Sequence, residues 1–303
     1  MKKAEILDRI DNLNVWKKGG IRAPHKPLLL LYALGRIQNG QRLIPYTEID
    51  QDLKKLLREF GPARKSYHPE YPFWRLQSDG LWELDKPNQL QLRKSSTDPK
   101  KSELLKYNPS GGLPPGVFRL LSTDKQFSAD MATRILENNF PASIHEDILQ
   151  AVGLDIENIS SKIKLRDPNF RERILRAYQY QCAVCGFNVR VGDSLVALEA
   201  AHIKWHQAGG PDEEQNGLAL CSLHHKLFDR GAFTITDKMK MIVSETTHGT
   251  HGLDEWLMAF HGKEIRPPQR PSYYPKTNFV NWHVKEVFKG YARVSERKTI
   301  INA

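Results

Sequence analysis

Two short pairs of metal-binding residues constrain this 303-residue chain more than any other feature: Cys182-Ala-Val-Cys185 and, further on, Cys221-Ser-Leu-His224. All three cysteines of the protein lie in these pairs. A Cys-x2-Cys followed by a Cys-x2-His has the ligand spacing of a closed tetrahedral zinc site, the kind that staples a small fold. An odd cysteine count with every thiol committed to metal agrees with a reducing compartment.

Once those four positions are filled, His202 and His225 have no structural ion to serve. His202 ends the apolar run Val196-Ala-Leu-Glu-Ala-Ala-His-Ile203, which reads as a strand. Residues 204–215, with Gly209-Gly210-Pro211, read as a loop, and Asn216-Gly217 opens the run into Cys221. The order Y-Q-C-A-V-C-G, E-A-A-H-I, Q-N-G-L-A-L-C-S-L-H-H-K-L-F-D resembles the HNH nuclease family over roughly residues 170–245. That resemblance implies a ββα-metal unit, with a catalytic metal held between a hairpin and the following helix. It assigns His202 as general base, Asn216 as the residue pinning the loop to the strand, and His225 as ligand of a divalent cation such as Mg2+ or Mn2+. An imidazole titrating near pH 6.5 suits the proton transfer that phosphodiester hydrolysis needs. Asn-Gly is also an ordinary turn signal.

One position departs from the commoner HNH pattern. Where many members carry a metal-binding acidic residue or histidine just before the base, this chain has Ala201. Glu199, His206 and Asp229 are candidates for the missing ligand, though each also reads as a solvated glutamate, a loop histidine or a helix-end aspartate. A subset of HNH sequences does read E-A-A-H-I here.

Length and composition bound the rest. The chain is long enough for two domains, and its 40% hydrophobic content with six tryptophans supplies two cores. The amino terminus reads as a charged amphipathic helix, not a secretory signal, and no apolar run is long enough to span a bilayer, so a cytoplasmic protein is expected. Basic residues outnumber acidic ones 24 to 18 over residues 1–150 and 21 to 17 over 151–303, so both halves can meet a polyanion. Helical patterning covers 4–13, 26–39, 46–60, 130–139 and 145–152, with strand-like segments at 73–77 and 81–84. Residues 153–164 read as a connection, 167–178 as a helix, the proline-bearing 263–276 as an extended surface run, and 278–288 as a closing helix.

Three proline-stiffened clusters of basic and aromatic residues mark the first half: Arg22-Ala-Pro-His25-Lys26-Pro, Tyr67-His68-Pro-Glu-Tyr71-Pro72-Phe-Trp74-Arg75, and Asn108-Pro-Ser110-Gly111-Gly112. Singly they read as a helix cap, a core aromatic cluster and a turn. In front of an HNH segment they resemble the sulfur-binding domain of phosphorothioate-dependent type IV restriction endonucleases, over roughly residues 1–155. The expected fold is α+β: a mainly helical reader domain with a small sheet over 1–155, a linker over 156–165, and a zinc-stabilised ββα-metal nuclease domain over 166–303. The partner is double-stranded DNA, phosphorothioated, and a homodimer is compatible with the sequence.

A sulfur in place of a non-bridging oxygen keeps the charge but is larger and less strongly hydrated. An apolar dimple of Tyr71 and Pro72 backed by Trp74 or Phe73 penalises the well-hydrated ordinary phosphate more than it penalises sulfur. Arg22, His25, Lys26 and the amides of Ser110, Gly111 and Gly112 would hold the oxygens, with His68 and Arg75 in reserve. Competing readings are a nuclease reading a modified base such as 5-methylcytosine, a catalytically inactive zinc-containing DNA-binding module, and, weakened by the absent export signal, a nuclease toxin.

Overall fold

The structure, a computed structural model, describes residues 1–15, 21–85, 89–93, 98–154 and 168–293. The linker expected over 156–165 lies outside the described residues. The chain divides into two compact units, Met1–Leu165 with Gln207–Gly209, and Arg166–His206 with Gly210–Ala303.

The first unit is mainly helical. Its elements are α1 (Lys3–Asp11), α2 (His25–Gln38), β1 (Ile44–Pro45), α3 (Tyr46–Phe60), α4 (Glu70–Arg75), β2 (Glu83–Leu84), α5 (Lys101–Tyr107), β3 (Ser110–Gly112), α6 (Pro115–Thr123), α7 (Lys125–Asn139) and α8 (His145–Val152). The run Leu28-Leu29-Leu30-Leu31 is apolar around the whole of α2 and fully buried, so α2 is the central helix, with α3, α4, α6, α7 and α8 packed about it. Pro24 precedes α2 and Pro27 lies in its first turn, where a missing N–H costs no intrahelical bond.

The small antiparallel sheet has the order β1-β3-β2. Its central strand needs glycine. A Cβ at Gly112 would sit 1.8 Å from the Arg42 carbonyl oxygen, and one at Gly111 would press on Trp82 and Phe73.

Residues 73–77 are not a strand. They belong to α4 and the 3-10 turn Leu76–Asp79 that follows it. Pro69 stands immediately before α4 and Pro72 falls in its first turn, where neither ring removes a needed donor. Burial of Phe73 against Tyr46 and Trp82, at ring-centroid distances of 4.9 and 6.2 Å, overrides the strand preference of an aromatic run.

The second unit contains α9 (Pro168–Ala177), β4 (Arg190–Val191), β5 (Ser194–Leu195), β6 (Leu198–His202), β7 (Gly217–Cys221), α10 (Ser222–Asp229), β8 (Phe233–Ile235), β9 (Met241–Val243), α11 (Leu253–Trp256) and α12 (Thr277–Glu286). Strands β6 and β7 pair antiparallel from Leu198↔Cys221 to His202↔Gly217, and α10 follows β7 without a break. This is the ββα arrangement. Every residue of β7 is buried, and α9 packs over the hairpin through Phe170 and Ile174. Asn216-Gly217 is no turn: Gly217 is extended, and a Cβ there would strike Ile174 at 2.2 Å. The protein is therefore α+β. Among the described residues, no helix is long and apolar enough to cross a membrane.

Candidate active site and reader pocket

Cys182, Cys185, Cys221 and His224 converge, with one donor atom from each lying within 4.8 Å of all the others. The Sγ atoms of Cys185 and Cys221 are 3.9 Å apart, and Cys182 Sγ lies 3.8 Å from His224 Nδ1. A tetrahedron with metal–sulfur bonds of ~2.3 Å has sulfur–sulfur edges of about 3.8 Å, so these separations suit ligands of one ion and are far too long for a disulfide. The second shell agrees. His224 Nε2 lies 2.8 Å from the Trp256 carbonyl oxygen, which fixes the ring with its Nε2–H donating outward and the Nδ1 lone pair facing the sulfurs. Donor chemistry and ring orientation both fit a tightly held cation.

His202 ends β6 almost fully buried, its ring stacked on Phe170 at 4.0 Å. Its Nε2 lies 2.7 Å from Asp212 Oδ1, a carboxylate about one-third exposed. Asn216, with no exposed surface, ties the connection between the strands to its base. Its Oδ1 accepts the Lys204 amide at 2.8 Å, and its Nδ2 donates to the carbonyls of Lys204 and Pro211 at 3.0 and 2.9 Å. The 204–215 loop thus starts and ends at one fixed point beside His202. Asp212 was not singled out in the sequence because it sits in a Gly-Gly-Pro-Asp run that reads as a turn. The pairing of imidazole with carboxylate is visible only in three dimensions.

One face of α10 presents His225, and two carboxylates flank it. Glu199 Oε2 lies 2.5 Å from Nδ1, while Asp229 Oδ2 lies 3.1 Å from Nε2, off the line of a hydrogen bond, so that Nε2 is buried without a hydrogen-bond partner. Glu199 also accepts from Ser222 Oγ, and Trp205 Nε1 donates to Asp229 Oδ1. Burial opposes charge on this imidazole, but Asp229 and then Glu199 outweigh it and hold its pKa up at about 9. The carboxylates that favour a proton here favour a divalent cation equally. They face opposite edges of the ring, so a cation on His225 has one of them beside it, and Glu199 is the partly exposed one. Ala201 is fully buried in the hairpin, and His206 lies edge-on to the His202 ring at 6.1 Å.

In the first unit, two of the three sequence clusters meet at a pocket of about 950 Å3. Arg22, His25 and Lys26 line it from the start of α2; Tyr71, Pro72, Trp74 and Arg75 line it from α4. His68 stands just behind, stacked on Tyr71 at 5.2 Å and bonded to Ser66 Oγ and Glu70 Oε1 at 2.8 Å each. Burial first, then the like charges of His68 and Arg64, depress the His25 pKa to about 4. At neutral pH His25 therefore offers a hydrogen bond and no charge.

Two expectations change. Ser110, Gly111 and Gly112 do not reach the pocket. They form β3, between β1 and β2, and the Ser110 amide is taken by Asp85 Oδ1 at 2.7 Å. The glycines serve close packing against Arg42, Trp82 and Phe73. Lys26 lines the pocket but is almost fully buried, with Nζ 2.5 Å from Asp79 Oδ2 and 2.8 Å from the Asn14 carbonyl oxygen, so its charge is already compensated.

Fold and sites together define a DNA-modification reader coupled to an HNH endonuclease domain. Residues 3–157 match the family described as "ScoMcrA-like, DNA sulfur-binding domain", and residues 182–236 match the HNH endonuclease family. The first match spans more than half of the chain, and the chain belongs to that sulfur-binding family. Among solved structures, it is similar to the sulfur binding domain of ScoMcrA complexed with phosphorothioated DNA. Identity there is 25%, over 50% of this chain and 97% of that one, with a TM-score of 0.45. The SprMcrA sulfur binding domain in the same kind of complex gives 23%, 51%, 95% and 0.43. Against the Type IV phosphorothioation-dependent restriction endonuclease ScoMcrA the values are 24%, 52%, 30% and 0.42, so the match spans less than a third of that chain. No curated protein matches.

Proposed function

We propose that this protein is a modification-dependent endonuclease that docks on phosphorothioated double-stranded DNA through residues 1–155 and hydrolyses phosphodiester bonds nearby through residues 166–303, as a restriction enzyme does. The observation that carries the reading is the pocket uniting the Arg22–Lys26 and Tyr71–Arg75 clusters within the part of the chain that matches the sulfur-binding family. Tyr71 and Pro72 supply the apolar wall for sulfur, with Trp74 beside them. Arg22 and His25 supply donors to oxygens, while Lys26 and His68 hold the walls and Arg75, bonded to Asp98, stands beside Tyr71.

In the nuclease unit, His202 takes the proton from the attacking water. Asp212 and Phe170 hold its ring, and Asn216 fixes the loop that carries Asp212. His225, with Glu199 beside it, would hold a divalent ion such as Mg2+ or Mn2+, which when bound supplies Lewis-acid stabilisation of the scissile phosphate and the departing 3′-oxygen. Cys182, Cys185, Cys221 and His224 would hold zinc as a structural staple.

Cleavage of paired plasmids, one phosphorothioated and one ordinary, with each metal added is the test. The expected result is metal-dependent cutting of the modified plasmid, and a His202→Ala chain that binds it with near wild-type affinity while cutting at least ~100-fold more slowly. Equal treatment of the two plasmids would move the weight to a base-modification reader. Absence of cutting under every metal would leave a binding module.

A further inference from the structure

Two of the cations lining the reader pocket, Arg75 and Lys26, stand against buried carboxylates, which is unusual for a surface that must grip a polyanion. Arg75 is gripped by Asp98: its Nε lies 3.1 Å from both carboxylate oxygens and its Nη2 lies 2.5 Å from Oδ2. Its guanidinium also lies 4.6 Å from the Tyr71 ring centre, over the wall assigned to sulfur. Asp98 is only 7% exposed at its side chain, whereas Arg75 is about half exposed. Lys26 is matched in the same way by Asp79, and His25 carries no charge near neutral pH.

A bare cation attracts an ordinary phosphate and a phosphorothioate with the same monopole force. It adds affinity without discrimination, and it adds more for the oxygen form, which accepts hydrogen bonds better. A cation already paired within 3 Å presents a dipole, whose reach is much shorter. We infer that Asp98 is a specificity-determining residue: by compensating Arg75 beside the Tyr71 wall, it weakens the hold on ordinary phosphate and leaves apolar contact with sulfur to decide binding. This rests on the sulfur-reading assignment above, and it adds a repulsive element to a set of attractive ones.

The experiment measures binding of the full chain to a short duplex with one phosphorothioate and to the same duplex with ordinary phosphates, across a salt series. Asp98→Asn keeps the shape and an acceptor for Arg75 but frees its charge. The expected result is about tenfold tighter binding of the ordinary duplex and less than about threefold change for the modified one. The salt slope for the ordinary duplex should steepen by about one. Asp98→Glu, which restores the charge, should restore the ratio.

Wild-type discrimination retained unchanged by Asp98→Asn overturns this inference alone. Equal binding of both duplexes by the wild-type chain overturns the sulfur reading and this inference with it. Should Asp98→Asn fail to fold, the uncharged pair Arg75→Gln with Asp98→Asn decides. A loss of at most about threefold for both duplexes upholds the inference, and a loss of tenfold or more for both overturns it.

Discussion

Asn216 and Lys204 are joined twice: the Lys204 amide donates to Asn216 Oδ1 at 2.8 Å, and Asn216 Nδ2 returns a bond to the Lys204 carbonyl at 3.0 Å. The pair closes the mouth of the loop between β6 and β7 two residues beyond His202. Asn216 Nδ2 also donates to the Pro211 carbonyl, so the residue next to Asp212 is tied to the same point as the strand that carries His202.

Asn216→Ala should therefore lower both stability and turnover. It removes three hydrogen bonds from a fully buried position, a loss of roughly 2–3 kcal/mol. Thermal unfolding of the nuclease unit should shift down by several degrees, and cleavage should fall while affinity for modified DNA stays within about twofold. Asn216→Asp, which keeps the acceptor but turns a buried carboxylate oxygen on the Lys204 and Pro211 carbonyls, should be at least as damaging.

Metal removal should act on the fold before it acts on chemistry. Cys182→Ser, or exhaustive chelation, should reduce bound zinc from one per chain to none and unfold residues 166–303, since binding free energy at such a site is largely folding free energy. Elemental analysis together with circular dichroism checks this. A folded, zinc-free wild-type chain would contradict it.

For Lys26 the expected defect is in stability and not in DNA affinity. Lys26→Ala leaves the Asp79 carboxylate buried without its cation, at a cost of roughly 3–4 kcal/mol. Adding Asp79→Asn should recover most of that loss. Both effects are read from denaturation midpoints, and the salt slope of DNA binding should stay at the wild-type value in the double variant.

His25 makes the reader unit acid-sensitive. Its pKa is about 4 in the folded chain, below the ordinary 6.5, so the unfolded chain takes up the proton first as pH falls. The contribution is fully present above about pH 6.5, declines as pH drops towards 4, and amounts to up to ~3 kcal/mol. Denaturation at pH 7.5 and at pH 4.5 should show the decline, and His25→Gln should flatten it.

Much of this could be read from the chain itself. The helix over Tyr46–Phe60 is legible because its apolar residues recur with a helical period, and the cluster of three cysteines and one histidine because the spacing of its two pairs lets four donors converge. The segment 73–77 reads as a strand in the sequence because a Phe-Trp pair carries strand preference, and only the burial of Phe73 against Tyr46 and Trp82 reverses it. Helices α5 and α6 escaped notice because they are short and bounded by Pro114 and a left-handed Asn108. Gly111 and Gly112 looked like an anion-binding loop, yet their reason is the Arg42 carbonyl and the Trp82 ring lying against them. Asp212 and Asp98 could not be found at all, since each matters only through a partner distant in sequence, His202 or Arg75.

From Cys182 to His225, one short stretch of chain carries the three cysteines and His224 of the cluster, together with His202, Asn216 and His225. Only the backing, such as Phe170 on α9, comes from elsewhere, and that too is contributed by the second unit. The catalytic apparatus is in this sense portable. Genetic exchange of this one stretch would move the cysteine–histidine cluster, His202, Asn216 and His225 together, as a single heritable block.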